Sequence, residues 1–415
     1  MLENYFILIL PVYTLISLLF PELNLVLFLF IGRIAYEPRM GFFGLYSLNH
    51  INLLILLIHI VWTVKTHSSK LDIKIPDMDV FILFLSWLCI NFIFLTKNIE
   101  YGFDKILVTV FVTFLCVIFT YIRYQYLGNK SIFRILLFLC VIGFCMGSVG
   151  LIEMISGAVK GRIAIFGGGP NVFGRITGLS NLILIIFFRR FKEYIPKSLL
   201  IGAIIILLIG LISTLSKGPT LSFFITLCFL FFFGGIKRSK IQNIFYILST
   251  LGILIAMIFL LGKAERFFLD PFSAMSYGSY GTRVGQALSS YSAFVDSPIF
   301  GVGLGDFIFY NHTYDYPHNI LLEILAELGI LGLILFFIIL YYFFQSITKY
   351  INNRYSKNLD VQILRAGLAT TLFMFFNQLV SGDLMDARIF FFLLFITLLI
   401  SNNLNQSLIL TQQNA

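Results

Sequence analysis

The chain has 415 residues, of which 59% are hydrophobic and 12% charged, with a formal net charge of +9. An ordinary soluble domain is about 25% charged, so this composition, with its 48 Phe, excludes a water-soluble protein and points to a polytopic membrane protein. The positive balance is read as loop lysines and arginines and not as a nucleic-acid surface.

No short apolar run near the start ends in a small-residue cleavage site, so no removable signal peptide is expected. The first apolar run, residues 5–35, is too long for one straight span and is interrupted by Pro21, Glu22 and Asn24. It holds either one broken span or a tight hairpin. A helix needs roughly 20 apolar residues to cross the hydrocarbon core, fewer where its ends snorkel. Candidate spans then follow at about 51–64, 80–95, 106–122, 132–155, 172–188, 199–215, 219–233, 245–261, 319–344, 363–380 and 389–400. The five cysteines, Cys89, Cys116, Cys140, Cys145 and Cys228, all fall inside apolar runs and read as small buried hydrophobes. The expected fold is an all-α, polytopic integral membrane helix bundle of about twelve transmembrane helices. The whole chain, 1–415, is one transmembrane domain with no 20–50-residue repeat and no appended soluble domain.

Basic residues set the orientation. Alternate loops, beginning with the one after residue 64, hold 17 of the 29 lysines and arginines, so these loops and the C-terminus are expected in the cytoplasm. Other cations fall on the outer side, where that rule does not explain them: Lys160, Arg162, Arg175, Lys217, Arg266, Arg283 and Arg388. The one long loop, residues 262–317, is outside as well. A long loop among short ones is usually functional or disordered, and its aromatic and glycine content suits an ordered lid.

Four outer segments carry the chemistry: "KGRIAIFGGGPNVFGR" (160–175), "STLSKGPTL" (213–221), "YGTRVGQALSSYSAFVDSPIFGVGLGDF" (280–307) and "YPHNILLEILAELGILGLILFF" (316–337). Three bring cations and the fourth a titratable base. Arginine forks grip phosphate oxygens bidentately, and glycine-rich turns expose backbone N–H groups that do the same. A lipid-linked phosphate or pyrophosphate fits such a site. Each residue also has a plainer reading. Arg162 and Arg175 suit snorkelling, Lys217 a headgroup anchor, Arg283 a solvated charge, "GGGP" a turn, and His318 a helix start without chemistry.

The run "PHNILLEILAELGILG", with Glu five residues after His318, resembles the superfamily of O-antigen ligases and O-antigen polymerases of the bacterial envelope. "RVGQALSSYSAFVDSPIFGVGLGDF" is similar to its arginine-containing segment, and "STLSKGPTL" to its Ser-Arg-Gly turn, with Lys217 where an arginine is usual. "GRIAIFGGGPNVFGRITGL" resembles the preceding outer segment. The likeness runs from about residue 161 to the C-terminus; the first 150 residues are not diagnostic.

The resemblance implies a GT-C-like membrane glycosyltransferase at the outer face of the bacterial cytoplasmic membrane. Its donor is a glycan on undecaprenyl pyrophosphate, its acceptor a sugar hydroxyl, and its leaving group the lipid pyrophosphate. His318 takes the place of the family's catalytic histidine. Arg283 and Lys217, supplemented by Arg162 or Arg175, hold the pyrophosphate. A helix N-terminus disfavours imidazolium, which keeps His318 available as a base. Asn319 caps that helix or orients the imidazole, and Glu323 shares its face and is expected to pair with a cation of another segment; Glu327 is the alternative partner. Gly329 and Gly332 read as close-packing positions. Asp383, Asp386 and Arg388 border the site or form a structural turn. No cofactor and no metal are expected, because fixed cations supply the charge. The partners are lipid-linked donor and acceptor glycans and membrane lipid, with room for a chain-length regulator, and no nucleic acid.

Polymerase and ligase share these motifs. The Pro-Asn after "GGG" and the Phe-, Ile-, Leu- and Asn-rich style favour a polymerase that joins repeat units over a ligase that loads lipid A–core. A lipid-glycan transporter is the remaining class, disfavoured because ionisable residues crowd one face and no repeat is visible.

Overall fold

The computed structural model describes residues 13–34, 45–67, 79–156, 162–164, 169–233, 252, 279–353 and 359–413. Every regular element among them is helical. Six helices are long and apolar enough to cross a membrane, and five apolar helices of 10–17 residues accompany them. Apart from Gly252, the expected span at 245–261 lies outside the described residues, as do Lys160, Arg266 and the first part of the outer loop. A polytopic helical membrane protein is therefore the architecture; the full count of twelve is not on view.

The chain divides into two compact units, Met1–Lys74 with Leu115–Ser216, and Ile75–Phe114 with Lys217–Ala415. In the first unit, residues 13–19 are helical, Phe20 is not, and α1 (Pro21–Ile34) begins at the proline. The break at Pro21 follows from its missing N–H and fixed φ, which suit a first helical position and not a helix interior. Five further elements follow in this unit: α2 (Leu45–His67), most of α5 (Thr113–Leu127), α6 (Asn129–Ile155), α7 (Pro170–Phe191) and α8 (Lys197–Ser213). Small and polar residues bring these helices together, as expected where lipid offers no hydrophobic contrast. Gly143 of α6 lies against Ser180 of α7, whose hydroxyl donates to Leu139 O at 2.8 Å. Gly210 of α8 faces Thr177 and Phe173. Glu22 of α1, 2% exposed, is paired with Arg123 at 2.8 Å.

The second unit holds α3 (Asp79–Leu95), α4 (Ile99–Ile106), a π-helical turn at Leu107–Val112, α9 (Lys217–Phe233), α10 (Ser279–Asp296), α11 (Ile320–Asn353), α12 (Leu359–Ser381) and α13 (Ala387–Gln413). Asn98 caps α4, its side chain accepting from Tyr101 N–H, so a helix of only two turns is fixed at its start. The long α11 is central and packs against α3, α10, α12 and α13. Phe84, Phe336, Phe390 and Phe391 interlock α3, α11 and α13 with ring centroids 5.3–6.2 Å apart.

The helix α11 is not continuous. Gly329 has φ 66° and ψ −166°, a region open essentially to glycine alone. Gly329 is a close-packing position, set against the Ile299 and Gly301 backbone, and it is also the site of a break. A break inside a span frees backbone polar groups, which is tolerated only where protein satisfies them. The segment after α10 does so. Val302 N donates to Ala326 O at 3.0 Å and Gly303 N to Glu327 O at 3.3 Å, while Ile330 N and Leu331 N donate to Pro298 O and Ile299 O at 2.9 and 3.3 Å. From α3, Asn91 Nδ2 reaches Phe300 O at 2.8 Å and Glu327 O at 3.1 Å, and Trp87 Nε1 reaches Leu328 O at 3.1 Å. The glycine series read as part of a lid is thus the plug of the break. Gly301, Gly303 and Gly305 all have positive φ, and a side chain at Gly301 would run into the Glu327 backbone.

Candidate active site

The start of α11 is built from its own sequence. Asn319 is the cap: its Oδ1 accepts from Leu321 N at 2.9 Å and Leu322 N at 3.2 Å, and its O accepts from Glu323 N at 3.0 Å. The same side chain donates from Nδ2 to Leu379 O at 2.8 Å, on the last turn of α12. Of the two roles open to Asn319, capping is the one seen.

His318 precedes the cap and is half-buried, with φ 54°. Positive φ in a non-glycine residue is uncommon, with His, Asn and Asp the usual exceptions. Tyr316 holds the ring edge-on at 4.4 Å between centroids, with Tyr314 behind it at 5.7 Å. The imidazole therefore stands between tyrosines at a helix start that is tied to α12.

A second helix start meets the same end of α12. Lys217 is the first residue of α9, and Gly218 lies against Val380 and Ser381; a methyl group on it would be 3.5 Å from Ser381 Oγ and Val380 Cγ1. The turn between α12 and α13 follows at once. Asp383, Asp386 and Arg388 are 2%, 5% and 5% exposed. Asp383 Oδ1 accepts from Asp386 N at 2.6 Å and Asp383 O from Ala387 N at 3.0 Å, which caps α13.

Beneath this surface lies a buried ion cluster. Lys105 Nζ is 2.6 Å from Glu323 Oε1 and 2.7 Å from both carboxylate oxygens of Glu327, and all three side chains are fully buried. Glu323 Oε2 accepts from Leu384 N at 3.0 Å, and Thr109 of the π-helical turn donates to Leu384 O at 3.1 Å. Lys105 went unread in the sequence because it sits at the edge of an apolar run. The signal was there: it lies on the outer side of the expected topology, where loop orientation does not account for a lysine.

The remaining residues are placed separately. Arg283, on the second turn of α10, is exposed, with no hydrogen bond or ion pair among the described residues. Arg162 belongs to the first unit, where it lines the turn after α8. Its Nε donates to Thr214 O at 3.1 Å and its Nη2 to Ser216 Oγ at 2.8 Å and Asn171 Oδ1 at 3.3 Å. Arg175, also in the first unit, is 4% exposed on α7. Gly167 and Gly168 of "GGGP" lie outside the described residues, while Gly169 is the N-cap of α7 and Pro170 its first residue. The structure thus gathers Lys217, His318, Asn319, Glu323, Asp383 and Arg388 around the α12–α13 end; Arg283 makes no hydrogen bond or ion pair to them among the described residues, and Arg162 and Arg175 belong to the other unit. Among the described residues no group of three or more His, Cys, Asp or Glu is arranged so that it could hold a metal ion.

A family model described as O-antigen ligase matches residues 202–337. The match belongs to the O-antigen polymerase and ligase superfamily that the motifs resemble. It takes in Lys217, Arg283, His318, Asn319, Glu323 and Glu327. Lys105, Arg162, Arg175, Asp383 and Arg388 lie beyond it. Comparison with curated proteins gives no match.

Proposed function

We propose that this protein is a polymerase that joins undecaprenyl-pyrophosphate-linked oligosaccharide repeat units into surface polysaccharide at the outer face of the bacterial cytoplasmic membrane. In this reading the chain crosses the membrane twelve times with its C-terminus in the cytoplasm, and 262–317 is the outer loop of a single transmembrane domain. The observation that carries the reading is that two helix starts, one bearing Lys217 and the other His318 and Asn319, abut the same end of α12 inside or beside the family-matched segment.

The reaction needs a base on one side of the anomeric carbon and cations on the other. Neutral His318 takes the proton of the acceptor hydroxyl as its oxygen bonds to the anomeric carbon. The bond from that carbon to the pyrophosphate oxygen breaks, and undecaprenyl pyrophosphate departs with the electron pair. Negative charge grows on the leaving group in the transition state, where fixed cations help most. Arg283 and Lys217, with Arg162 and Arg175, are assigned to it. Pyrophosphate is a good leaving group, so the mechanism is drawn without a metal.

The description of the matched family favours a second reading, a ligase that transfers finished polymer to lipid A–core. A deletion strain separates the two. Core capped with a single repeat unit means polymerase; bare core with accumulated lipid-linked polymer means ligase; unchanged polysaccharide means neither.

A further inference from the structure

We infer that Lys105 is a positioning residue for the transfer reaction, holding the start of α11, and with it His318, in register through Glu323 and Glu327. The inference rests on the proposed reading of His318 as the base.

The three side chains form one charged knot with no exposed surface, and the ammonium lies 2.6–2.7 Å from both carboxylates. Charge-assisted bonds this short fix direction as well as distance. Their placement along α11 matters. Glu323 lies in its first turn, five residues after His318, and Glu327 lies two residues before the break at Gly329. One ammonium from α4 therefore grips both ends of the short helical piece between the cap and the break. Glu323 uses its other oxygen to accept from Leu384 N at 3.0 Å, tying the same piece to the turn that carries Asp383. The other described ties on this piece, Asn319 to Leu379 O and the bonds of Val302, Gly303, Asn91 and Trp87 to the carbonyls of 326–328, hold its two ends by the cap and the backbone; the Lys105 knot is the side-chain link that joins one end to the other.

Stability does not call for such a knot. Desolvating three charges costs about as much as their attraction returns, and buried ionic triads are often replaced by neutral side chains with no loss of stability. Lys105 and its partners are explained by geometry: a base must stand within hydrogen-bond reach of its hydroxyl, and a displacement of about 1 Å costs on the order of 100-fold in rate.

The decisive variant is the triple change Lys105→Met, Glu323→Gln, Glu327→Gln, which keeps volume and strands no charge. Purified full-length protein in nanodiscs is assayed with lipid-linked repeat unit for kcat and KM per folded molecule, beside its thermal midpoint. The expected result is a midpoint at or above the parent's, KM within about 2-fold and kcat lower by roughly 10–100-fold. Parental kcat overturns the inference. So does a triple variant that does not fold, since the knot is then a stability element. His318→Asn, which keeps the positive-φ backbone, runs alongside. If it transfers normally, the reading of the site fails; if it is inactive while the triple variant keeps parental kcat, only the role of Lys105 fails.

Discussion

Val302 donates its amide to the carbonyl of Ala326 at 3.0 Å, closing a gap that α11 cannot close for itself. This bond and its neighbours join the described segment 297–305 to the break at Gly329, so that segment and α11 are one folded piece. Val302 and Tyr310 also pack on the buried cluster of Ala293, Phe307 and Ala326, which adds apolar contact to the ladder.

Gly329→Ala is expected to be damaging for two reasons. Its backbone conformation costs a non-glycine residue about 1–3 kcal/mol, and the added methyl would press on Ile299 O and Gly301 N. The thermal midpoint in detergent should fall by several degrees and transfer should be lost with it. An unchanged midpoint would show that α11 runs straight at this position.

Asn91→Leu tests the other side of the same break. It removes the donor to Phe300 O and one donor to Glu327 O. A buried acceptor left unsatisfied costs about 1–3 kcal/mol, so the midpoint should drop while KM for the lipid-linked donor stays put. A changed KM with an unchanged midpoint would mean that Asn91 faces substrate.

The sequence discloses what depends on composition and local spacing. Hydropathy alone marks most of the helices, and the six residues 318–323 place the histidine, the cap and Glu323 together because they follow one another across the helix start. The break at Gly329 was not legible, since a glycine in an apolar run reads equally as a packing site, and only the docked 297–305 segment shows the break. Lys105 was hidden for a similar reason. Its partners are more than 200 positions away, and no local pattern reports a contact of that range. The aromatic and glycine content of 297–307 speaks for order, but its docking against α11 is a tertiary fact.

Charge and fork geometry are separable at Arg283 and Lys217, both of the second unit. Arg283→Lys is expected to cut transfer severely, because an ammonium cannot make the bidentate phosphate contact of a guanidinium. Lys217→Arg should be tolerated, since the resembled family usually has arginine at that turn and the side chain stands at a helix start. Laddered product from lipid-linked repeat unit is the readout. A fully active Arg283→Lys variant would reduce Arg283 to a point charge.

His318 poses the sharpest test, and its backbone decides which substitution to use. At φ 54° an alanine pays about 1–2 kcal/mol for the left-handed conformation, so His318→Ala confounds lost chemistry with a strained helix start. Asparagine adopts that conformation readily and has no group that titrates as a base. His318→Asn should therefore reach the membrane in parental amount, unfold at the parental midpoint and lose transfer by about 10²–10⁴-fold, the usual cost of a missing general base. The Ala variant should lose transfer to a similar degree with a lower midpoint. Full-length polymer in normal amount from a deletion strain carrying His318→Asn would remove the base from the mechanism and leave His318 as a left-handed joint between the outer loop and α11.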